Sequence, residues 1–571
     1  FQKMAAAGDG WFELITDRAG AGTAYRYRIN RDLTVPDPAS RFNPWDVMEP
    51  SVVVDPCGFE WRDEGWRGRD WNESVIYELH VGTFTRAGSF SAIKERLDYL
   101  VDLGVTAIEL MPVGDFPGRH GWGYDGVLPF APDASYGKPE DLKDLVQAAH
   151  RKGLMIFLDV VYNHFGPEGN FLHAYASQFF TERHQTPWGA AINFDGEGSR
   201  EVRKFYVHNA LYWLEEFRFD GLRFDAVHAI RDDSSPDILE EIAQAVREGP
   251  DRKRRIHLVL ENDNNAARYL NRDESGEPLQ YTAQWDDDAH HALHVLVTGS
   301  TDGYYEDYAG NPVWHLGRTL AEGFSYQGEP SPHREGARRG EPSADLPPAA
   351  FVPFLQNHDQ VGNDAFGERI HEKAQDPALL RSATAILLLN PQPPLLFMGE
   401  EFAALQPFQY FCDFPPELGK LVTEGRRNEF KRFERFSNPQ AREKIPDPND
   451  PATFDRCVLD WDTLSQPEQD RQLSFYRRLL ELRRRHIVPR LAGTKGGCAR
   501  FEVLGEQGLK VAWKLGDGST LTLYANFAKT PLRLDAPQGE LIYATPGDTL
   551  ETLTQGRLPP VSVAWYLNPA T

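Results

Sequence analysis

The chain has 571 residues, 41% of them hydrophobic and 26% charged, with a formal net charge of −24. At about 150 residues per domain this length allows three or four domains, one of which can be a single barrel of about 250 residues or more, and the apolar fraction suffices for folded cores. The acidic balance argues against a nucleic-acid binder and against docking on an anionic membrane, because both present phosphate; an uncharged substrate is compatible with it.

Four cysteines, Cys57, Cys412, Cys457 and Cys498, lie far apart with no C-x-x-C pair, so the expectation is ordinary reduced thiols rather than a zinc ribbon or a redox motif. No run of about 18 apolar residues occurs, which removes a membrane-spanning helix. Residues 1–10 lack a basic stretch followed by an apolar core, so no signal peptide is expected, and a cytoplasmic location is the default. The chain begins with Phe1, and the expectation is that residues once preceded it.

Taken in order, residues 11–16 and 24–29 are strand-like runs in a Gly/Pro-rich background. Tyr25, Tyr27 and Ile29 alternate with Arg26, Arg28 and Asn30, the pattern of a half-buried strand. From residue 74 short apolar runs alternate with amphipathic stretches. Strands are expected at 75–81, 106–112, 154–161, 221–225, 256–261, 281–285, 351–355 and 394–398. Helices are expected at 93–103, 139–152, 200–217, 236–247 and 288–298, with 466–485 closing the unit. Eight near-continuous apolar strands separated by helices fit a closed parallel (β/α)8 barrel better than an open sheet. Long connections at 165–198, 301–348 and 399–460 follow or precede strands, and 331–348 is expected to be flexible. After about residue 491 short strands return at 510–514, 520–526, 532–534 and 562–567, a C-terminal antiparallel β-domain. The 13 Trp, 21 Tyr and 34 Phe suit stacking on flat sugar faces as well as core packing.

Four segments end barrel strands in polar residues: Asp159-Val-Val-Tyr-Asn-His164, Gly221-Leu-Arg-Phe-Asp225, Leu258-Val-Leu-Glu261-Asn-Asp263 and Phe354-Leu-Gln-Asn-His358-Asp359. Polar residues at the C-terminal ends of several barrel strands mark an active site. Strand alternation points Arg223 and Asp225 the same way, and a guanidinium beside a carboxylate keeps it ionised, as a nucleophile requires. Arg-x-Asp alone also describes a barrel salt bridge. Glu261, behind apolar neighbours and near other acids, is expected to hold its proton and donate it; alone it also fits a capping or surface glutamate, and Asn357-His-Asp359 a turn. The constellation is more specific. Asp225 and Glu261 are 36 residues apart, about one βα unit, and Asp359 comes from a later strand. Three carboxyls around one barrel mouth suit a glycosidase.

These four segments, in this order, resemble the four sequence regions of the α-amylase family of glycoside hydrolases across residues 74–490. The resemblance implies a retaining mechanism with Asp225 as nucleophile, Glu261 as general acid/base and Asp359 as transition-state stabiliser. It implies that His164, Arg223 and His358 contact the reacting glucose and that Tyr124, in Trp122-Gly-Tyr-Asp-Gly126, is its aromatic platform. Glu261-Asn-Asp-Asn-Asn265, Gln284-Trp-Asp-Asp-Asp-Ala-His-His-Ala-Leu-His294, Gly303-Tyr-Tyr-Glu-Asp-Tyr308 and Leu355-Gln-Asn-His-Asp-Gln-Val-Gly-Asn363 together resemble the maltooligosyltrehalose trehalohydrolase subfamily. Pro394-Leu-Leu-Phe-Met-Gly-Glu-Glu401 is shared more widely, including with glycogen-branching enzymes, the rival reading; a non-catalytic glucan-binding protein is a further one.

The subfamily implies cleavage of the α-1,4 bond next to the terminal trehalose unit of maltooligosyltrehalose, releasing trehalose and a maltooligosaccharide, after a partner maltooligosyltrehalose synthase. Trp285 and Asp286 are candidates for the trehalose side, although a packed Trp and a helix N-cap acid describe them as well. The resemblance also implies an N-terminal β-sandwich at 1–70, the barrel at 71–490 and the C-terminal β-domain at 491–571. No cofactor, metal, nucleic acid or membrane is expected. His290 and His294 are four apart without the Glu of a His-Glu-x-x-His zinc motif, and Asp286-Asp-Asp288 lacks a calcium-loop pattern.

Overall fold

Each of the eight expected barrel strands forms, and each is shorter than its apolar run. The structure, a computed structural model, describes residues 1–8, 10–186, 189–535, 537–547 and 549–570, with the side chains of Arg432 and Glu434 left aside. The strands are β1 (Ile76–Leu79), β2 (Ala107–Leu110), β3 (Met155–Val160), β4 (Gly221–Phe224), β5 (His257–Leu260), β6 (Ala283–Trp285), β7 (Phe351–Val352) and β8 (Leu395–Phe397). They are hydrogen-bonded in the order β7–β6–β5–β4–β3–β2–β1–β8, all parallel, and a parallel bridge from Phe354 to Leu395 closes the cylinder.

Alternation along each strand decides what the cylinder contains. Ile76, Ala107, Met155, Phe157, Val259, Ala283, Trp285, Val352, Phe354 and Leu395 form one buried cluster inside it. Two residues further along the same faces come Glu78, Glu109, Asp159, Arg223 and Glu261. The residues between, such as Tyr77, Ile108, Leu158, Leu222 and Leu258, belong to the larger cluster under the helices. Strands β1 to β5 are therefore charged at their ends on the inward face, whereas β6 to β8 stay apolar there.

The helical shell comprises α1 (Leu97–Leu103), α2 (Pro139–Arg151), α3 (Ser199–Glu215), α4 (Ile238–Glu248), α5 (Asp287–Thr298), α6 (Pro312–Glu322), α7 (Pro377–Leu389) and α8 (Pro467–Leu482). The expected helix at 93–103 is two pieces, Phe90–Lys94 and α1. Between β5 and β6 the described residues contain a single 3-10 turn, Ala267–Leu270, and no α-helix. Residues 331–348, expected to be flexible, are tied down instead. A two-stranded ribbon joins Glu329–Pro330 to Arg338–Arg339, and three side chains anchor the segment: Arg334 on Asp263, Arg339 on Asp288 and Glu341 on Arg268.

Among the described residues of 1–70 the expected β-sandwich is not formed. Their strands are two to four residues long and pair only as two-stranded ribbons: Ala5–Gly8 with Trp11–Glu13, Ala24–Tyr25 with Ser51–Val52, and Tyr27–Ile29 with Leu33–Val35. So short a set of strands cannot enclose a core of its own. The segment uses the barrel's surface instead. Val47 packs with Val127, Leu128 and Ala131, and the Trp66 indole donates to Asp220 at 2.7 Å. After α8, strands β9 (Ala499–Leu504), β10 (Gly508–Lys514), β11 (Thr520–Asn526), β12 (Glu540–Ala544) and β13 (Ser562–Asn568) make the antiparallel sheet β9–β10–β11–β13–β12. The Leu532–Arg533 strand pairs outside it, with Arg557–Leu558. Trp513, stacked on Trp565, donates to the Leu320 carbonyl at 2.8 Å and fixes this sheet to α6. All four cysteines are free thiols. No helix among the described residues is long and apolar enough to cross a membrane.

His150 on α2 joins the N-terminal segment to the barrel, with Nδ1 2.6 Å from Asp63 and Nε2 3.0 Å from Asp220. Burial works to lower its pKa, but Asp220 and Asp63 outweigh burial and leave it raised. A raised histidine pKa stabilises the fold fully below the unfolded value, about 6.5, and the contribution disappears as pH rises through the folded value. His150→Gln is therefore expected to lower the thermal unfolding midpoint at pH 6, with the deficit shrinking toward pH 9. A deficit independent of pH would contradict this.

Candidate active site

The inward ends of β3, β4 and β5 meet at one guanidinium. Arg223, 0% exposed, is the register partner of Asp159 on β3 and of Val259 on β5. Its Nη1 donates to Asp159 Oδ2 at 2.7 Å and to Asp225 Oδ1 at 3.1 Å, and its Nη2 to Glu261 Oε2 at 2.8 Å. The guanidinium plane lies 4.0 Å from the Trp285 ring centroid, a cation–π contact from below. Asn163 Nδ2 donates to Asp225 Oδ2 at 2.6 Å, and the Ala226 N–H to Glu261 Oε2 at 2.7 Å. The structure thus brings together Asp225, Glu261 and Arg223, as the sequence suggested, and adds Asp159 and Asn163, the first and fifth residues of the first polar segment.

The directions in which Asp225 and Glu261 are shifted run against the sequence expectation. Burial, then the nearby Glu261 charge, push Asp225 well above the ordinary carboxylate range, and Arg223 only partly offsets them. Burial also works to raise Glu261, but Arg223, His228 and the Ala226 N–H outweigh it and hold Glu261 below its usual value. The two acids titrate as a pair, Asp225 shifted up and Glu261 down. Asp159 is pushed up to about 6 by burial, against Arg223, His358 and the Tyr124 hydroxyl.

Asp359 and His358 come from the first turn of the short helix His358–Gly362, capped by Asn357. The Asp359 side chain is 34% exposed; its Oδ1 accepts from Asn363 Nδ2 at 3.1 Å and lies 3.5 Å from His358 Nε2. Burial raises Asp359, and the His358 charge opposes that rise. The Tyr124 ring stacks on His358, with centroids 5.0 Å apart and 22° between planes, while its hydroxyl donates to Asp159 at 2.6 Å. His164, pushed down to about 4 by burial, donates from Nε2 to the Tyr124 carbonyl at 3.0 Å and so supports the platform.

Trp285 and Asp286 are not placed where a substrate would touch them. Trp285, 1% exposed, is the floor under Arg223, packed against Phe354. Asp286, 0% exposed, is the N-cap of α5, accepting from the Ala289 N–H. The physical reason is strand alternation: residue 285 still points into the cylinder, and the chain turns into a helix at once. The half-buried acid on this rim is the next one, Asp287, pushed well up by burial and by the Glu261 and Asp263 charges. The sequence reading missed it because three consecutive aspartates carry no signal of which one faces the mouth. His290, His291 and His294 line α5 against tyrosines; His290 Nδ1 donates to the Leu355 carbonyl at 2.9 Å, and His294 stacks on Tyr305 with centroids 4.2 Å apart.

The chain matches the family described as Alpha amylase, catalytic domain, over residues 68–189, and a domain of unknown function (DUF3459) over 496–565. It is 41% identical over 564 residues to a malto-oligosyltrehalose trehalohydrolase of Rhizobium sp. (strain M-11), covering 98% of this chain and 92% of that one. A crystal structure described as a putative alpha amylase from Salmonella typhimurium superposes with a TM-score of 0.94 at 44% identity, covering 99% of this chain and 94% of that one. A 1,4-alpha-glucan branching enzyme of Corynebacterium efficiens is 34% identical over 240 residues, which cover 38% of this chain and 32% of that one.

The 331–348 segment reaches the site rim through one buried pair, Arg339 Nη1 to Asp288 Oδ1 at 2.8 Å. Removing one partner of such a pair costs about 3–5 kcal/mol, because the other charge stays buried. Arg339→Ala is expected to speed tryptic cleavage at Arg334 or Arg338 by about tenfold or more, since about 1.4 kcal/mol of lost docking already gives tenfold more of the open form. Unchanged cleavage would show that the pair does not hold the segment.

Proposed function

The chain belongs to the malto-oligosyltrehalose trehalohydrolases, glycoside hydrolases of the α-amylase type, and we propose that Asp225, Glu261 and Asp359 carry its chemistry. The reaction hydrolyses the α-1,4-glucosidic bond next to the terminal trehalose unit of maltooligosyltrehalose, releasing trehalose and a maltooligosaccharide. The observation that supports the residue assignment is the shared guanidinium. Asp225 and Glu261 each accept from one Nη of the same guanidinium. Retaining enzymes set their two carboxyls about 5–5.5 Å apart, whereas inverting enzymes need about 6.5–9.5 Å to admit a water.

In this reading Asp225 attacks the anomeric carbon while Glu261 protonates the departing glycosidic oxygen. The C–O bond to the leaving group breaks and a glucosyl ester of Asp225 forms. Water then attacks that carbon, Glu261 takes its proton, and Asp225 is released. In this reading substrate binding loosens the Arg223–Glu261 contact, and with the guanidinium's hold relaxed Glu261 carries the proton it donates. Asp359 faces the developing positive charge, and Tyr124 with His164, Arg223 and His358 seats the reacting glucose.

Trp285 and Asp286 are replaced in this proposal by a 180 Å³ cleft beside Glu261, lined among others by His228, Asn262, Asn264, Arg268 and Tyr269. It opens where β5 runs to β6 without a helix, and it is the proposed seat of the departing trehalose. The substrate, a maltooligosaccharide whose reducing end has been isomerised, requires a maltooligosyltrehalose synthase upstream. We assign catalysis to residues 71–490, with 1–70 and 491–571 as flanking units.

Purified protein incubated with maltooligosyltrehalose is expected to give trehalose, and with plain maltooligosaccharide little change. New α-1,6 branches in either would instead indicate a transferase. Glu261→Gln is expected to slow the natural substrate by about 10²–10⁴-fold and an α-glucosyl fluoride much less, since fluoride leaves without a proton. Equal losses on both would reject Glu261 as the acid.

A further inference from the structure

Two acids stand inside the barrel below the catalytic carboxyls. Glu78 on β1 and Glu109 on β2 are register partners, and each is 1% exposed. They are used differently. Neither carboxyl oxygen of Glu109 has a hydrogen-bond partner among the described residues, and burial pushes that acid well up. Both oxygens of Glu78 are engaged by a single residue. Its Oε1 lies 2.5 Å from His358 Nδ1, and its Oε2 accepts from the His358 backbone N–H at 2.9 Å.

That grip fixes main chain and ring together. With Nδ1–H given to Glu78, Nε2 is the nitrogen left toward Asp359, at 3.5 Å. The ring cannot swing away, because Tyr124 stacks on it and Trp122 meets it edge-on at 5.5 Å and 90°. Asp359 is the next residue in the same helical turn.

We propose that Glu78 is a positioning residue of the hydrolytic reaction: its two-point hold on His358 keeps the imidazole a cation whose Nε2–H is aimed at Asp359 and the bound glucose, and so keeps Asp359 ionised and in place. The proposal rests on Asp359 being the third acid of the site. The charged and titratable groups facing the ring are Glu78 from β1, Glu109 from β2, Asp159 from β3, Arg223 from β4, Glu261 after β5, Asp359 on its own helix, and His80 after β1. Burial works to lower His358, and Glu78 with Asp359 outweighs it, raising the pKa to about 9. The imidazolium therefore persists across the neutral range and is lost as pH climbs through about 9.

Glu78→Gln keeps the shape and the acceptor oxygen but removes the charge. It is expected to lower kcat by about 10- to 100-fold, the scale of a misaimed catalytic group, with KM changed little. The alkaline limb of the kcat/KM profile is expected to move toward acid by about one pH unit or more, since one unit is one unit of lost imidazolium stabilisation. Glu78→Asp, which retains the charge, should return part of that limb. The same question is asked of the unsubstituted protein by 15N-histidine NMR, with the His358 signal identified by its absence in His358→Asn. A doubly protonated ring at pH 8 supports the proposal; a ring titrating near the ordinary value overturns it. A Glu78→Gln enzyme that loses thermal stability but keeps its alkaline limb also overturns it, leaving Glu78 a structural role only. Should the protein release no trehalose from maltooligosyltrehalose, the assigned activity falls, and the NMR titration still decides whether Glu78 holds His358 charged.

Discussion

One buried cation organises this molecule. Arg223 has no solvent exposure, and three carboxylates from three strand ends bind it while an indole ring lies beneath. An isolated guanidinium in such a place would be prohibitively desolvated, so the acids are a condition of its burial as much as it is of theirs. The register of β3, β4 and β5 is fixed accordingly, because a one-residue slip would turn Arg223 out of the cylinder and leave Asp159 facing Leu222. The surrounding inventory is lopsided. Glu78, Glu109, Asp159, Asp225, Glu261 and Asp359 face two cations, Arg223 and protonated His358. Burial shifts Glu109, Asp159 and Asp225 upward, and neighbouring acids add to that rise at Glu109 and Asp225. A site poised with surplus carboxylates in low dielectric favours a substrate that is uncharged at rest and cationic at the transition state, which is what breaking a glucosidic bond requires.

The barrel was legible because its strands obey period two with unusual consistency. Met155, Phe157 and Asp159, or Gly221, Arg223 and Asp225, place apolar and then charged groups on one face, and the polar strand ends follow directly. The same rule explains Trp285, whose inward position makes it a floor rather than a wall. What alternation does not encode is where a strand stops. Asp286, Asp287 and Asp288 are chemically alike in sequence and divide into a helix cap, a rim acid and the buried partner of Arg339 only once α5 begins. Nor does alternation within β4 reveal that the second arm of Arg223 reaches Glu261 at the end of the next strand and works to lower its pKa. In the N-terminal segment the alternation of Tyr25, Tyr27 and Ile29 was real but too brief to build a sheet.

The segments that suggested the trehalose-releasing subfamily turn out to be scaffolding for the rim. Asn265 donates to Asp288, Asp288 pairs with Arg339, and Arg339 donates to the Asp263 carbonyl. Tyr308 joins the same knot through its hydroxyl. Residues far apart in sequence thus pin the 301–348 connection beside β5, next to the cleft proposed for the leaving trehalose. In the proposed reading these motifs shape the leaving-group side of the site.

In the proposed reaction Asp225, its Oδ1 held by Arg223 and its Oδ2 by Asn163, becomes covalently glucosylated. The direct measurement is intact-protein and peptide mass spectrometry after brief exposure of the Glu261→Gln enzyme to a 5-fluoro-α-glucosyl fluoride, which forms the ester readily and releases it slowly. The account predicts one added fluoroglucosyl group, located on the peptide containing Asp225 and absent in Asp225→Asn. A label on another residue, or steady turnover with no ester under conditions that trap it, would contradict it.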